Sequence, residues 1–407
     1  MLERKVFGLV VLVGIMAGIV GIVFTELLHT VQHLVYSYSA ADGYSFGVGI
    51  THVSGVHRLL ALLACGLVGG VGWFLIHRYG GKLVEVKTAV TDVTKEMPPL
   101  TTLLHATLQI ITVAMGSPLG REVAPREASS ALITWVMRYV NVTKENRSLL
   151  IACASGAGLA AVYNSPVSAA IFVLETLLLT WNMRALSAAF IACGVATFVV
   201  RLGLGDTVQY NMPQPAIVGS FAEFAVVIGV IIGIAVVLFD KTQTKLPKFD
   251  HKNPKTILYF VIAFGLVGVM AMYFPAILGN GKPGNQLTFA HLIPWEYALG
   301  LFASKWIAVL LAMGVGAYGG KITPSMMLGS TLALAVAIAW NFAIGPISMG
   351  LSAFLGAVVF LGLAQKMPLT SSVFMLELSR FSVELLFPIA LAMGVGLLTQ
   401  GWLKNKI

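Results

Sequence analysis

Gly120-Arg121-Glu122-Val123-Ala124-Pro125 and Gly320-Lys321-Ile322-Thr323-Pro324 are one phrase written twice, about 200 residues apart. The repetition extends outward in the same order. Gly81-Lys82 returns as Gly281-Lys282, and Gly116 as Gly316. Pro166-Val167-Ser168-Ala169-Ala170-Ile171-Phe172-Val173-Leu174-Glu175 returns as Pro368-Leu369-Thr370-Ser371-Ser372-Val373-Phe374-Met375-Leu376-Glu377. Two matching halves in a membrane chain point to a transporter with its site between them.

The surrounding composition makes this a membrane chain. Apolar residues form 57% of the sequence and charged residues 11%, against about 25% charged in soluble domains. Long apolar spans fall near residues 6–34, 58–78, 100–117, 148–164, 166–181, 184–202, 214–240, 256–274, 295–315, 324–342, 347–364, 369–380 and 385–403. Several fall short of the roughly 20 residues that cross a bilayer. Arg4 and Lys5 precede the first span, which no small-residue cleavage pattern follows, so it reads as a membrane helix and not a signal peptide. Cys65, Cys153 and Cys193 are scattered in apolar runs, which argues against a disulfide framework or a metal cluster.

Charge predicts the orientation. Arg4 and Lys5, the linker lysines 241, 245, 248, 252 and 255, and Lys404 and Lys406 are placed in the cytoplasm by the positive-inside rule. The loops 37–56 and 203–220 are expected outside. Gly14, Gly18 and Phe24 in the first span match Gly229, Gly233 and Phe239 in a later one that runs the other way. The expectation is an all-α, inverted-repeat bundle of tilted, partly broken helices, with halves 1–203 and 204–407 in one membrane domain. The net charge of +9 needs no nucleic-acid partner, because loops and termini carry most of it to lipid headgroups.

Irregular backbone at membrane depth survives only where protein or a polar cavity covers it. The breaks at Gly81, Gly120, Gly281 and Gly320 are therefore predicted to be buried and to border a pathway. Helices that begin there point unpaired N–H groups and a positive dipole end inward, the arrangement that holds an anion. Glu122 is the first candidate residue, because a carboxylate at such depth is costly and functional by default. Charged, it competes with an anion for the donors. Protonated, it leaves, so one residue serves as gate and proton carrier. The competing reading is a loop brace paired with Arg121 or Arg126.

These residues reach a family. Gly120-Arg121-Glu122 with Pro125 resembles the G-[K/R]-E-x-P signature of the CLC chloride channels and anion/proton antiporters. Gly319-Gly320-Lys321-Ile322-Thr323-Pro324 with Gly329 resembles its G-G-x-F-x-P…G signature, and Leu159 to Pro166 with Phe172 to Glu175 its A-A-x-F-N-[AS]-P…E block. The resemblance implies a homodimer with one pore per subunit and Glu122 as the external gating glutamate. Around it, Gly81, Lys82, Gly120, Arg121, Val123, Ala124, Ile322 and Thr323 become the anion-binding candidates, with no metal and no cofactor.

The departures narrow the reading. The family's G-S-G-I-P serine is replaced in Gly80-Gly81-Lys82-Leu83-Val84, Thr176 stands where the inner glutamate is expected, and no tyrosine closing the inner side is found. The segment Glu122 to Pro125 is one residue longer than Glu-Gly-Pro. With Thr323 in the second break, these resemble the fluoride/proton antiporter branch. Fluoride is small and strongly hydrated and needs close, strong donors. Exchange of fluoride for protons is the leading expectation, and a chloride channel or chloride/proton antiporter the alternative. An intramembrane enzyme is the remote one. No His-Glu-x-x-His, Gly-x-Ser-x-Gly or nucleotide-binding glycine loop is present, and His77 and His105 lack carboxylate partners at helical spacing. The few residues after the last span suggest a minimal bacterial inner-membrane protein without a regulatory domain.

Weaker signals remain. His29 and His33, with Glu26, have a spacing that can hold a metal, but sit where polar residues meet headgroups. Glu175 and Glu377 are expected to brace helices. Lys82 and Lys282 either set the potential at the pathway mouths or snorkel. Asn164 is expected in a turn, and the glycosylation pattern at Asn141 is set aside.

Overall fold

The apolar runs become helices. A first set comprises α1 (Arg4–Tyr36), α2 (Phe46–His52), α3 (Gly55–Tyr79), α4 (Val86–Thr91), α5 (Pro99–Ala114), α6 (Val123–Val136), α7 (Lys144–Tyr163), α8 (Pro166–Phe172) with a π-helical turn at Val173–Leu178, and α9 (Met183–Leu204). A second comprises α10 (Phe221–Thr244), α11 (Lys255–Tyr273), α12 (Lys282–Phe289), α13 (Trp295–Gly314), α14 (Ile322–Ala343), α15 (Met349–Gln365), α16 (Pro368–Ser379) and α17 (Leu386–Lys406). The computed structural model describes residues 3–37, 45–212, 217, 220–247 and 249–406. Lys248 and parts of the two loops expected outside lie beyond these residues. Eight of the described helices are long and apolar enough to cross a membrane.

Small residues set the helix packing, as in membranes, where apolar lipid provides no hydrophobic drive between helices. A Cβ at Gly14 or Gly18 on α1 would strike Val195 or Val199 on α9. On α10 the same roles fall to Gly229 and Gly233, set against Val395 and Thr399 of α17. The predicted equivalence of the first span with α10 is thus visible in what each glycine pair touches. α3 and α11 pack directly on each other through Gly66 and Gly268.

The two halves exchange helix caps. Glu175 accepts from the Leu369 N–H at 3.0 Å, the Thr370 N–H at 2.8 Å and the Thr370 hydroxyl at 2.5 Å. Glu377 accepts from the Val167 N–H at 2.9 Å, the Ser168 N–H at 2.8 Å and the Ser168 hydroxyl at 2.5 Å. Each carboxylate therefore sits on the N-terminus of its counterpart's helix, the brace expected of both. Charged acceptors at helix starts make the stronger kind of hydrogen bond. Glu377→Ala is expected to cost about 3 kcal/mol or more, since each such bond contributes about 1.5–3 kcal/mol. Glu175→Ala should match it closely, because the two contact sets are the same. Thermal melts of both variants in detergent check this, and a pair of unchanged midpoints would refute it.

Left-handed backbone also repeats. Asn164 (φ 57°) and Lys366 (φ 54°) end α7 and α15 before the two Ser/Met-Pro starts, as the turn reading of Asn164 anticipated. Lys5 bonds to the Asn141 carbonyl, Lys404 to Asp240, and Lys252 borders the same cavity as Gly81. α3 starts beside the end of α1, where His57 Nε2 meets the Val35 carbonyl, and so ends on the side where α1 begins; with residues 249–254 and the ends of α10 and α17 this side is called here the linker face.

Candidate functional site

At the centre the two signature breaks are tied to each other. The Gly120 N–H donates to the Gly320 carbonyl and the Gly320 N–H to the Gly120 carbonyl, both at 2.7 Å. Two residues, Arg121 and Glu122, separate Gly120 from the first residue of α6, whereas Lys321 alone separates Gly320 from that of α14. Pro125 and Pro324 then occupy the same third helical position. The first half therefore has one residue more than the second between its glycine and its helix, which makes the Glu122 position asymmetric between the halves.

The Glu122 side chain reaches across to the other half. Glu122 is fully buried. Its Oε1 accepts from the Ile322 N–H at 2.7 Å, the first donor of α14. Its Oε2 accepts from the Tyr163 hydroxyl at 3.3 Å. That phenol lies 2.8 Å from the Thr323 hydroxyl. Tyr163 has one proton, so when it donates to Glu122, Thr323 donates to it. The carboxylate occupies a helix N-terminus as an anion would. Arg121 and Arg126 are not its hydrogen-bond partners: Arg121 Nη2 donates to the Val162 carbonyl and Arg126 Nε to Ser155 Oγ. The loop-brace reading therefore lacks its contacts.

Gly120 and Gly320 form the walls of this seat. A Cβ at either position would fall on the Glu122 carboxyl group. Neither glycine has a positive φ, so space alone and not backbone freedom requires them.

Two cavities flank the occluded centre, and Glu122 lines neither. Away from the linker face a cavity of about 120 Å³ is lined by Arg121, Lys282, His29 and Asn280. Its two fixed cations favour an anion and oppose a metal ion at His29. Lys282 Nζ donates to Gln209 Oε1 at 3.0 Å. Gly281 (φ 101°) starts α12 beside Thr323, where a Cβ would press on the Thr323 carbonyl. On the linker face a cavity of about 570 Å³ is lined by Gly81, Lys82, Glu85, Thr102, His105, Glu127 and Tyr318 among others.

The sequence candidates sort accordingly. Glu122, Gly120, Ile322 and Thr323 meet at the centre. Arg121 sits between the centre and the cationic cavity. Val123 and Ala124 are the first two residues of α6, and the Ala124 side chain packs into an apolar cluster with Val20, Phe24 and Ile110. Gly81 and Lys82 are a correction. No helix starts at Gly81, since α4 begins only at Val86. The Gly81 N–H is spent on Thr101 Oγ1 at 3.0 Å, and Lys82 is exposed on the linker face. Set against α12, which begins at Lys282, the helix start here comes four residues later and does not aim inward.

Two things were missed in sequence. Tyr163 stands inside the block that carries the family resemblance, yet no role attached to it, because its contacts to Glu122 and Thr323 come from distant segments. His105 does have a carboxylate partner: Glu127 Oε2 lies 3.5 Å from its Nε2, across α5 and α6 and not along one helix.

The family described as voltage gated chloride channel matches residues 62–401. A voltage-gated ClC-type chloride channel, ClcB, of Escherichia coli (strain K12 / DH10B) is 27% identical over 320 residues, covering 75% of this chain and 74% of its own. The protein of the same description from Shigella flexneri matches equally. Among solved structures, a slow cyanobacterial Cl-/H+ antiporter superposes with TM-score 0.81 at 16% identity, covering 99% of this chain and 96% of its own. A CLC-type fluoride/proton antiporter gives TM-score 0.71 at 17% identity, covering 98% of both chains. These likenesses at low identity speak to the fold.

Proposed function

This chain belongs to the voltage-gated chloride channel (CLC) family, and from that premise we propose that it is a secondary-active exchanger of fluoride for protons, with Glu122 as gate and proton carrier. The family consists of anion transporters and channels, not enzymes. One observation carries the proposal: a fully buried carboxylate is held by the first N–H of α14 and a phenol, in the position where a helix start receives an anion. Protonation removes the charge that holds it there, and an anion takes its place.

The donors favour a small, hard anion. The Ile322 N–H approaches a carboxylate oxygen at 2.7 Å, a first-row hydrogen-bond length. Fluoride is close to that oxygen in size, and the Tyr163 and Thr323 hydroxyls add donors to replace its water. Chloride/proton exchange is the second reading, supported by the overall likeness to the cyanobacterial Cl-/H+ antiporter. Reconstituted vesicles loaded with fluoride or chloride, with pH followed together with anion efflux, separate the two. Fluoride efflux that draws protons inward, with little chloride flux, supports the proposal. Brisk chloride flux, or flux without protons, overturns it.

The proposal extends to a homodimer with one pathway per subunit, as the family resemblance implies, built from halves 1–203 and 204–407. The cell membrane of a bacterium would hold it with the linker face, and so both termini, in the cytoplasm. Anions from outside would then meet Arg121 and Lys282 first.

Tyr163→Phe tests the donor set. Loss of one hydroxyl removes its bonds to Glu122 and Thr323, and such a bond contributes about 0.5–1.5 kcal/mol or somewhat more to a charged partner. Apparent anion affinity is expected to weaken about tenfold, the equivalent of 1.4 kcal/mol, while protons still move with the anion. An unchanged concentration dependence of flux would remove Tyr163 from the site.

A further inference from the structure

Exchange needs a proton route from the linker face to Glu122, and the residue expected to relay it in chloride exchangers is here Thr176. That hydroxyl is used within its own helix, donating to the Phe172 carbonyl at 2.6 Å. The route has to start elsewhere.

The linker-face cavity supplies a different set of groups. Glu127 lies on α6, five residues after Glu122, which is about 7.5 Å along a helix axis and about 140° around it, so water has to join the two carboxylates. Its side chain is 14% exposed and opens on that cavity. Gln109 Nε2 donates to its Oε2 at 2.7 Å. Trp73 Nε1 donates to His105 Nδ1 at 3.2 Å, which leaves the hydrogen of a neutral ring on Nε2, facing Glu127. Tyr318 binds His77 Nε2 at 3.0 Å, His77 stacks on His251 at 4.4 Å, and Tyr318 meets His105 edge-on at 4.5 Å. Two buried polar atoms beside this cluster have no partner among the described residues, Thr102 Oγ1 on the cavity side and Gln109 Oε1 beside Glu127. Both suit bridging water.

We propose that Glu127, held by Gln109 and facing His105, is the proton-transfer group between the linker-face cavity and Glu122. The inference rests on the exchanger reading and deepens it. A proton from cavity water bonds to a Glu127 oxygen. It then passes through water along the α5–α6 seam, past Gln109, to a Glu122 oxygen, and Glu127 returns to the carboxylate. Nothing is oxidised or reduced. The neighbours that tune the step are Arg126 on the same helix, His105 on α5, His77 on α3, Glu85 and Lys82 in the loop before α4, His251, Asp250 and Lys252 in the linker, and Tyr318 before α14. Arg126 stands in sequence between the two carboxylates and within electrostatic range of both, so it opposes a proton resting midway as a free cation.

The test uses the full-length protein in vesicles, with anion and proton fluxes recorded together and pH stepped on each side in turn. Glu127→Gln is expected to lower proton flux at least about tenfold and to remove its dependence on linker-face pH, the scale of effect for losing a positioned acid-base group. Glu127→Asp should restore at least half of the proton flux, which a purely bracing role would not predict. Wild-type proton flux and pH profile in Glu127→Gln would overturn the proposal, as would equal loss in the Gln and Asp variants. If Glu127→Gln does not fold, His105→Gln carries the test, and a wild-type proton rate there overturns the proposal as well. The wild-type control separates the two levels: a wild-type protein that moves anions without protons defeats the exchanger reading itself, whereas coupled wild type with an unaffected Glu127→Gln defeats only the role of Glu127.

Discussion

Glu122→Gln is expected to stop proton movement while anions continue to pass. Glutamine keeps the shape of the side chain and an oxygen that can accept from the Ile322 N–H, now at 2.7 Å from the carboxylate. It cannot release or take up a proton in the physiological range. Loss of an essential acid-base group typically costs about 10²–10⁴-fold, so proton flux should fall to the level of empty vesicles. The neutral amide also binds its donors less tightly: bonds to charged groups contribute about 1.5–3 kcal/mol and neutral ones about 0.5–1.5 kcal/mol. The seat is then vacated more readily, and anion flux proceeds uncoupled. Simultaneous recording with an anion electrode and a pH electrode reads both arms. Uphill proton transport by Glu122→Gln would disprove its role as carrier.

Gly320→Ala is expected to give the opposite signature, the loss of both fluxes together. The added methyl group would fall on the Glu122 carboxyl and so on the seat that an incoming anion needs. The backbone at Gly320 tolerates alanine, because its φ is not positive, and the Gly120–Gly320 bonds are main-chain and survive. Forcing a methyl into filled space costs about 1–3 kcal/mol, so roughly a tenfold to hundredfold fall in anion and proton flux alike is expected, with a lowered melting midpoint but a folded protein. Gly120→Ala should behave similarly from the facing wall. Normal coupled transport by Gly320→Ala would mean that the seat between the two glycines is not on the pathway.

Much of this was legible in the chain because a repeat constrains itself. The paired Gly14/Gly18 and Gly229/Gly233 motifs predicted equivalent helices, and both pairs pack on the last helix of their own half. Glu175 and Glu377 were read as braces from symmetry alone. The same reasoning failed where symmetry did. Gly81-Lys82 repeats Gly281-Lys282 in letters, yet α12 begins at the second and nothing begins at the first. Lys282-Pro283 supplies a proline within the first helical turn, where its missing N–H is harmless. Lys82-Leu83-Val84-Glu85 has no such start signal, and the chain stays extended to Val86.

What the sequence determined by itself is the membrane class, the two-fold plan and the single acidic residue placed at a break. Composition fixes the solvent, and a repeated signature fixes the partner of each break. Only the tertiary structure decided which groups meet. Tyr163, Thr323 and Ile322 surround Glu122, and His105 faces Glu127, because separate helices cross there. The physical reason is the short range of these contacts, 2.7 to 3.5 Å. Contacts of that length between residues tens to hundreds of positions apart depend on helix packing angles, which no local pattern of letters encodes.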